Sequence, residues 1–174
     1  MKRRTWGTAL FLVALAAIWL GRDALFPTEQ LNGAMARAID GDSLIVDGRT
    51  VRLAGIDAPE YRQSCATRDG MPWPCGRAAC AQLEALALAV PVLCEVIARD
   101  RYDRAIATCS TPATPDLGAA MTVAGLVISP AERGEARYAA EQEVARDARR
   151  GLWQGEFDTP AQWRAAHPRR TAIE

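Results

Sequence analysis

After its second residue the 174-residue chain contains no lysine, and His167 is its only histidine. These two shortages prune the chemistry before any motif is read. Without lysine in the folded part there is no lysine nucleophile, no Schiff base and no Walker-type phosphate lysine. A lone histidine near the end of the chain, beside Pro168, leaves no Ser-His-Asp or Cys-His relay and no multi-histidine zinc site. His167 reads as a solvated surface residue. A strong positive charge is lacking too. The formal net charge is zero; with Lys2, Arg3 and Arg4 set aside, residues 22–174 hold 18 basic and 21 acidic side chains, a formal −3. Long-range attraction does not draw such a chain to a polyanion, so any phosphate binding belongs to a local site. The tools left for catalysis are Asp, Glu, Arg, Tyr and a hard metal ion.

Hydrophobic residues make up 49% of the chain and are spread along it, which suits one compact core and argues against disorder. The first 21 residues differ from the rest. Lys2-Arg3-Arg4 precedes an apolar run from Trp6 to Leu20, the pattern of an export signal. The run is marginal for a membrane span, and no clean small-x-small site follows Leu20, so both an uncleaved signal anchor and a cleaved signal peptide remain open. Either way the basic flank stays inside and the rest of the chain is expected outside the cytoplasm, anchored to the membrane or secreted. The five cysteines fit an oxidising compartment. Cys94 and Cys109 lie in two β-rich runs flanking a turn, so they are expected to pair across a hairpin. Cys65 and Cys75 are expected to close a polar loop, leaving Cys80 over. Spacing alone leaves that connectivity open.

Residues 22–32 read as a linker, 33–155 as the folded domain and 156–174 as a C-terminal tail. Short β-type runs are expected at about 33–39, 43–47 and 50–56, with Gly41 and Asp47-Gly48 marking turns. A polar loop over 61–75 precedes a helical pattern from Arg77 to Ala89, ended by Pro91. Two strands follow at about 92–98 and 104–110, then a helix at 118–126 and another from Arg137 to Arg150, with Gly151 as its C-cap. No internal repeat is seen. The order predicts an α+β fold, a five-stranded OB-type β-barrel with three α-helices.

Three clusters carry the chemistry: Asp40-Gly41-Asp42, the run Val51-Arg52-Leu53-Ala54-Gly55-Ile56-Asp57-Ala58-Pro59-Glu60, and Asp100-Arg101-Tyr102-Asp103-Arg104. Singly they read as a turn, a solvent-facing strand and a charged hairpin tip. Together, in this order and with Ala148-Arg149-Arg150-Gly151-Leu152-Trp153 after them, they resemble the staphylococcal nuclease (thermonuclease) family over about residues 34–155.

That resemblance implies a calcium-dependent phosphodiesterase, an endonuclease hydrolysing single-stranded DNA or RNA to 3'-phosphate ends, and a monomer is expected. Asp42 and Asp57 match carboxylates that bind Ca²⁺, Ala58 a backbone carbonyl on the ion, and Asp40 stands behind them as an outer carboxylate. Glu60 matches the carboxylate that positions or deprotonates the attacking water. Arg52 and Arg104 match the arginines that hold the reacting phosphate; Arg101 and Tyr102 match residues lining the nucleotide pocket. The residue types agree with this independently. Hard cations select oxygen ligands, and forked guanidiniums suit the charge that gathers on phosphorus oxygens. Asp103 stands where the family usually has glycine, and its charge beside Arg104 is expected to weaken phosphate binding. The competing reading is a non-catalytic nucleic-acid-binding OB-type module at the cell envelope. A degenerate module is expected to have lost some of Asp42, Arg52, Asp57, Glu60 and Arg104; all five are present.

Overall fold

The computed structural model describes residues 11–13, 29–88, 90–131, 134 and 136–168. The expected export segment falls outside the described residues apart from Phe11–Val13, which are helical and exposed. Among the described residues no helix is long and apolar enough to cross a membrane.

The strands are β1 (Gln30–Gly33), β2 (Ala36–Ala38), β3 (Ser43–Val46), β4 (Arg49–Leu53), β5 (Cys65–Ala66), β6 (Pro72–Trp73), β7 (Val92–Arg99) and β8 (Ala105–Ser110). The main sheet runs β1-β7-β8-β4-β3-β2; β5 and β6 form a separate small hairpin. Only β4 with β8 is parallel in the main sheet. Its two ends, β1 and β2, are consecutive pieces of one segment bent at Ala34–Met35. There the Asp47 carboxylate accepts hydrogen bonds from both backbone N–H groups. One bent strand therefore pairs with β7 by its first half and β3 by its second, and with β3, β4, β7 and β8 it gives the five-stranded OB-type α+β arrangement. The sequence predicts that first strand at 33–39 and a linker over Gln30–Asn32; the strand begins three residues earlier. Four residues, with only Leu31 and Gly33 buried, are too short for alternation to stand out.

The β3–β4 turn follows its sequence: Asp47 and Gly48 both have positive φ (43° and 82°), as a two-residue hairpin of this hand requires. Alternation then sorts the side chains. Val51 and Leu53 of β4 enter the core with Leu44 and Val46 of β3, and Arg52 between them emerges on the other face. Cys94 and Cys109 are directly opposite on β7 and β8 and are disulfide-bonded; Cys65 and Cys75 form the second bridge, and Cys80 is free.

The helices are α1 (Cys75–Ala87), α2 (Leu117–Val123), α3 (Ala139–Asp147) and α4 (Pro160–Ala166), with a 3₁₀ turn at Gly151–Gln154. α1 lays Ala79, Leu83 and Ala87 on the sheet core, and the Glu84 carboxylate accepts the Ala38 N–H across the interface. α3 stops before Gly151: its last residue is Asp147, and Arg149 takes the left-handed backbone (φ 50°) just past its end, with Gly151 left-handed too (φ 54°) at the start of the following 3₁₀ turn. The fourth helix lies in the segment read as a tail. Thr159 and Gln162 close a capping box at its start, and Pro160 occupies the first turn.

Candidate active site

Two close packings put the site on the rim of the sheet beside α1. A Cβ on Gly76 would stand 1.9 Å from the Glu60 carbonyl oxygen, and one on Gly41 would stand 2.6 Å from Ala79 and 2.8 Å from Ala58. Only glycines let the 39–42 turn and the 57–60 loop pack against each other and the first turns of the helix. The turn itself is held by Asp42 N–H donating to Asp40 Oδ1 (3.0 Å), a local bond of the kind aspartate makes in turns. Asp57 is fixed by a pair of backbone bonds with Ile128.

These constraints bring Asp42, Arg52 and Asp57 together. Arg52 Nη1 lies 2.8 Å from the Asp42 carboxylate and Nη2 lies 3.1 Å from Asp57 Oδ1, so one guanidinium bridges both acids. Asp42 is buried and also accepts from Ser43 Oγ (2.8 Å) and the Ala58 N–H (3.3 Å). Burial pushes its carboxyl up to about 7 against the pull of Arg52, and the neighbouring Asp40 adds to the rise. Ala58 is buried beside them.

Glu60 faces the same cleft. Its backbone N–H donates to Gln63 Oε1 (3.2 Å), and the buried Gln63 sends Nε2 to the Asp158 carbonyl (2.7 Å). The second wall is the β7–β8 hairpin tip. Arg101 and Tyr102 are exposed there, with the Arg101 guanidinium 4.9 Å from the Tyr102 ring centre and that of Arg104 5.8 Å from it. A cleft of about 650 Å³ opens between them, lined by Asp40, Arg52, Glu60, Arg101, Tyr102 and Arg104. The structure thus gathers the three separated sequence clusters at one place.

Sequence reasoning missed three participants. The first is Asp100, which orients Arg104: Oδ2 accepts from Arg104 Nε (2.7 Å), and Oδ1 accepts from the Tyr102 and Arg104 N–H groups. Desolvation opposes its ionisation, but the hydrogen bonds from Arg104 and Tyr102 outweigh that and hold the carboxyl below the usual aspartate range. Asp103, the residue singled out from sequence, has its carboxylate on Arg99 (3.2 Å) instead. Gln63 is the second. The third is Arg164 of α4, which forks onto Asp57 through Nη1 and Nη2 (3.1 and 2.9 Å) and reaches Glu60 Oε1 (3.4 Å). The one available signal was the capping box, which marks a helix and not what its side chains touch. Trp163 and His167 of the same segment also line the cleft, although His167 had been read as a bystander.

The fold and this cleft define a class: an OB-type α+β domain carrying buried carboxylates bridged by arginine at the sheet rim. Within it the match is specific. The family model described as "Staphylococcal nuclease homologue" covers residues 50–155, and the chain belongs to that nuclease family. It is 32% identical to the Succinoglycan biosynthesis protein ExoI of Rhizobium meliloti, over 82% of this chain and 74% of that protein. It is 36% identical to the Probable endonuclease LCL3 of Schizophyllum commune, over 66% of this chain but only 44% of that protein. Protein ParB of Escherichia coli is 32% identical, over 94% of both chains.

Proposed function

We propose that the chain is a calcium-dependent endonuclease that hydrolyses phosphodiester bonds of DNA and RNA and leaves 3'-phosphate ends. The observation that carries this reading is the convergence of three sequence clusters: Arg52, Glu60 and Arg104 line one open cleft, and the buried Asp42 and Asp57 lie directly behind Arg52. Family membership and the similarity to a probable endonuclease support it.

The donor chemistry fits a hard divalent cation. Asp42, Asp57 and Glu60 meet the guanidiniums of Arg52 and Arg164, and Asp40 lines the same cleft, so four carboxylates against two guanidiniums leave formal negative charge for a divalent ion to match. Among the described residues no three His, Cys, Asp or Glu side chains already converge as a metal cluster, so the ion would rest on Asp42, Asp57 and the Ala58 carbonyl, with water completing its shell. Bound there, Ca²⁺ supplies Lewis-acid polarisation of a phosphoryl oxygen. The residues do the rest. Arg52 and Arg104 place permanent positive charge where the phosphorus oxygens become more negative, the largest single contribution in reactions of this type. Glu60 takes a proton from the attacking water as its oxygen bonds to phosphorus, the bond from phosphorus to the 5' oxygen of the next nucleotide breaks, and that oxygen leaves as a hydroxyl with a proton from solvent. Arg101 and Tyr102 hold the nucleotide beside the reacting phosphate.

We further infer that the protein works outside the cytoplasm, as a monomer anchored or released through its N-terminal segment. The two disulfides support an oxidising compartment. The test is cleavage of single-stranded DNA and of RNA by the full chain with Ca²⁺, with Zn²⁺ and with chelator. Cleavage is expected with Ca²⁺ and not with chelator, with little in Zn²⁺ and with 3'-phosphate products. Full activity in chelator overturns the metal assignment, and no cleavage under any condition overturns the nuclease reading.

A further inference from the structure

The family match ends at residue 155, and nothing above gives Trp163 or His167 a task. Their placement is nonetheless well determined. Besides its capping box, α4 is tied to the body at three points. Phe157 packs on the small core of Cys65, Cys75 and Leu152; the Asp158 carbonyl takes the Gln63 amide; and Arg164 forks onto Asp57. Three anchors of different chemistry hold the short helix against the mouth of the cleft.

Trp163 lies on that helix and His167 is its C-cap, four residues on and one turn away. Their rings are stacked, with centroids 4.2 Å apart and planes 16° from parallel. His167 Nδ1 lies 3.0 Å from the Trp163 carbonyl oxygen, which orients the imidazole ring. Neither residue belongs to a hydrophobic core cluster among the described residues. Trp163 is half-buried and His167 exposed, and both border the cleft that Tyr102 borders as well. A tryptophan placed for stability would bury its ring in the core; this one lies in a paired aromatic surface beside guanidiniums and the proposed reacting centre.

We propose that the Trp163–His167 pair is a stacking platform for an unpaired nucleobase of the substrate, next to the scissile phosphate. The proposal rests on the nuclease reading above and adds a subsite to it. The chemistry that recognises single strands is aromatic faces interleaved with positive charge along a groove, and it is tolerant of base identity because every base has a π-face. Here the aromatic rings are Tyr102, Trp163 and His167, and the charges are Arg52, Arg101 and Arg104. The cleft of about 650 Å³ is within the size range of pockets that bind small organic ligands, and so has room for a nucleotide. A duplex keeps its bases stacked on each other and has none free for the platform, so the subsite favours single strands.

The test is binding of a fluorescent single-stranded hexathymidylate to the full chain by anisotropy, in Ca²⁺, with Glu60→Gln present to stop turnover. Trp163→Ala is expected to raise Kd between about fivefold and 150-fold, the range of 1–3 kcal/mol per stacked base. Trp163→Phe keeps a π-face and recovers most of that loss, and the preference for the hexamer over a short duplex falls in Trp163→Ala. A Trp163→Ala protein that binds as tightly as its parent overturns the platform, as does a Phe variant as weak as the Ala variant with an unaltered Tm. If Trp163→Ala does not fold, His167→Ala, at an exposed position, decides by the same criterion. A parent that binds no hexamer removes the nuclease reading together with the platform, whereas a parent that binds while the variants match it removes the platform alone.

Discussion

Arg52 and Arg164 both reach Asp57, but from very different settings. Arg52 leaves β4 between Val51 and Leu53, both in the core, and its side chain is 27% exposed as it bridges Asp42 and Asp57. Arg164 leaves a seven-residue helix outside the family match, and its side chain is 45% exposed. The floor of the cleft is therefore continuous with the folding core, and the C-terminal wall is docked onto it by a few ties. Damage to the floor is expected to reach stability and turnover together; damage to the wall is expected to reach substrate affinity.

The largest expected effect is at Arg52. Arg52→Ala lowers kcat by about 10²–10³-fold, the usual loss when a preorganised transition-state charge is removed. It also leaves the buried Asp42 without its guanidinium, while Asp57 keeps Arg164; losing such a partner costs about 3–5 kcal/mol when the pair is fully buried and less here because Arg52 keeps some solvent contact. The fold is expected to survive with a lowered Tm that Ca²⁺ partly restores. Arg164→Ala, by contrast, leaves Asp57 with Arg52 as its partner and is expected to shift Tm little while raising KM. Equal Tm losses in the two variants would erase the distinction between floor and wall.

Arg104 provides an intermediate case, since it stands on a hairpin tip and its only carboxylate partner among the described residues is Asp100. Arg104→Ala is expected to cost about 10²-fold in kcat with Tm nearly unchanged. Asp100→Asn keeps an oxygen for the backbone N–H groups but weakens the hold on Arg104 Nε, and about a tenfold loss in kcat/KM is expected. An Asp100→Asn enzyme as fast as its parent would show that the phosphate alone orients Arg104.

The wall has its own staple. Cys65 and Cys75, ten residues apart, hold the small core on which Phe157 rests. Replacing both with serine is expected to cost roughly 2–3 kcal/mol by the loop-closure argument. It is also expected to raise KM severalfold with a smaller change in kcat, because α4 loses one of its anchors. Unfolding midpoints and steady-state kinetics on the double variant check both parts. A fall in kcat alone would place the loop in the floor instead.

The same contrast explains what could be read in the sequence. The floor was legible because each of its residues sits in a local pattern with a physical cause: a turn with Asp40-Gly41-Asp42, an outward arginine between Val51 and Leu53, a Pro-Glu after Ala58. The cysteine pairs were legible from opposed strands and a short loop. The long-range tie from Gln63 to Asp158, and that from Arg164 to Asp57, join segments 95 and 107 residues apart and leave no periodicity to detect. Thr159-Pro160-Ala161-Gln162 did announce a helix start, but only three dimensions show which face looks into the cleft. Asp100 and Asp103 were both visible as acids near Arg104; that Asp100 holds it depends on the hairpin geometry, which sequence did not resolve.

Asp103 gives the smallest and most finely balanced expectation. It occupies the left-handed region (φ 61°), where glycine is at ease and aspartate is tolerated at a modest cost. Its carboxylate lies on Arg99, which already forks onto Glu29 through its other nitrogen, so Asp103 neither orients Arg104 nor is the sole partner of Arg99. Asp103→Gly therefore relieves backbone strain and removes a negative charge near Arg104, without loosening that arginine. The side chain is largely exposed (85%), so salt screens its repulsion of the substrate. A rise in kcat/KM of up to about threefold is expected at low ionic strength, shrinking toward nothing at high salt, where an electrostatic effect of this range is lost. The Tm is expected to stay level or rise slightly. A kcat/KM titration against salt for the two proteins separates the causes: a gain that persists at high salt assigns the effect to backbone strain, and a loss of activity at every salt concentration shows that Asp103, through Arg99, steadies the tip on which Arg101, Tyr102 and Arg104 stand.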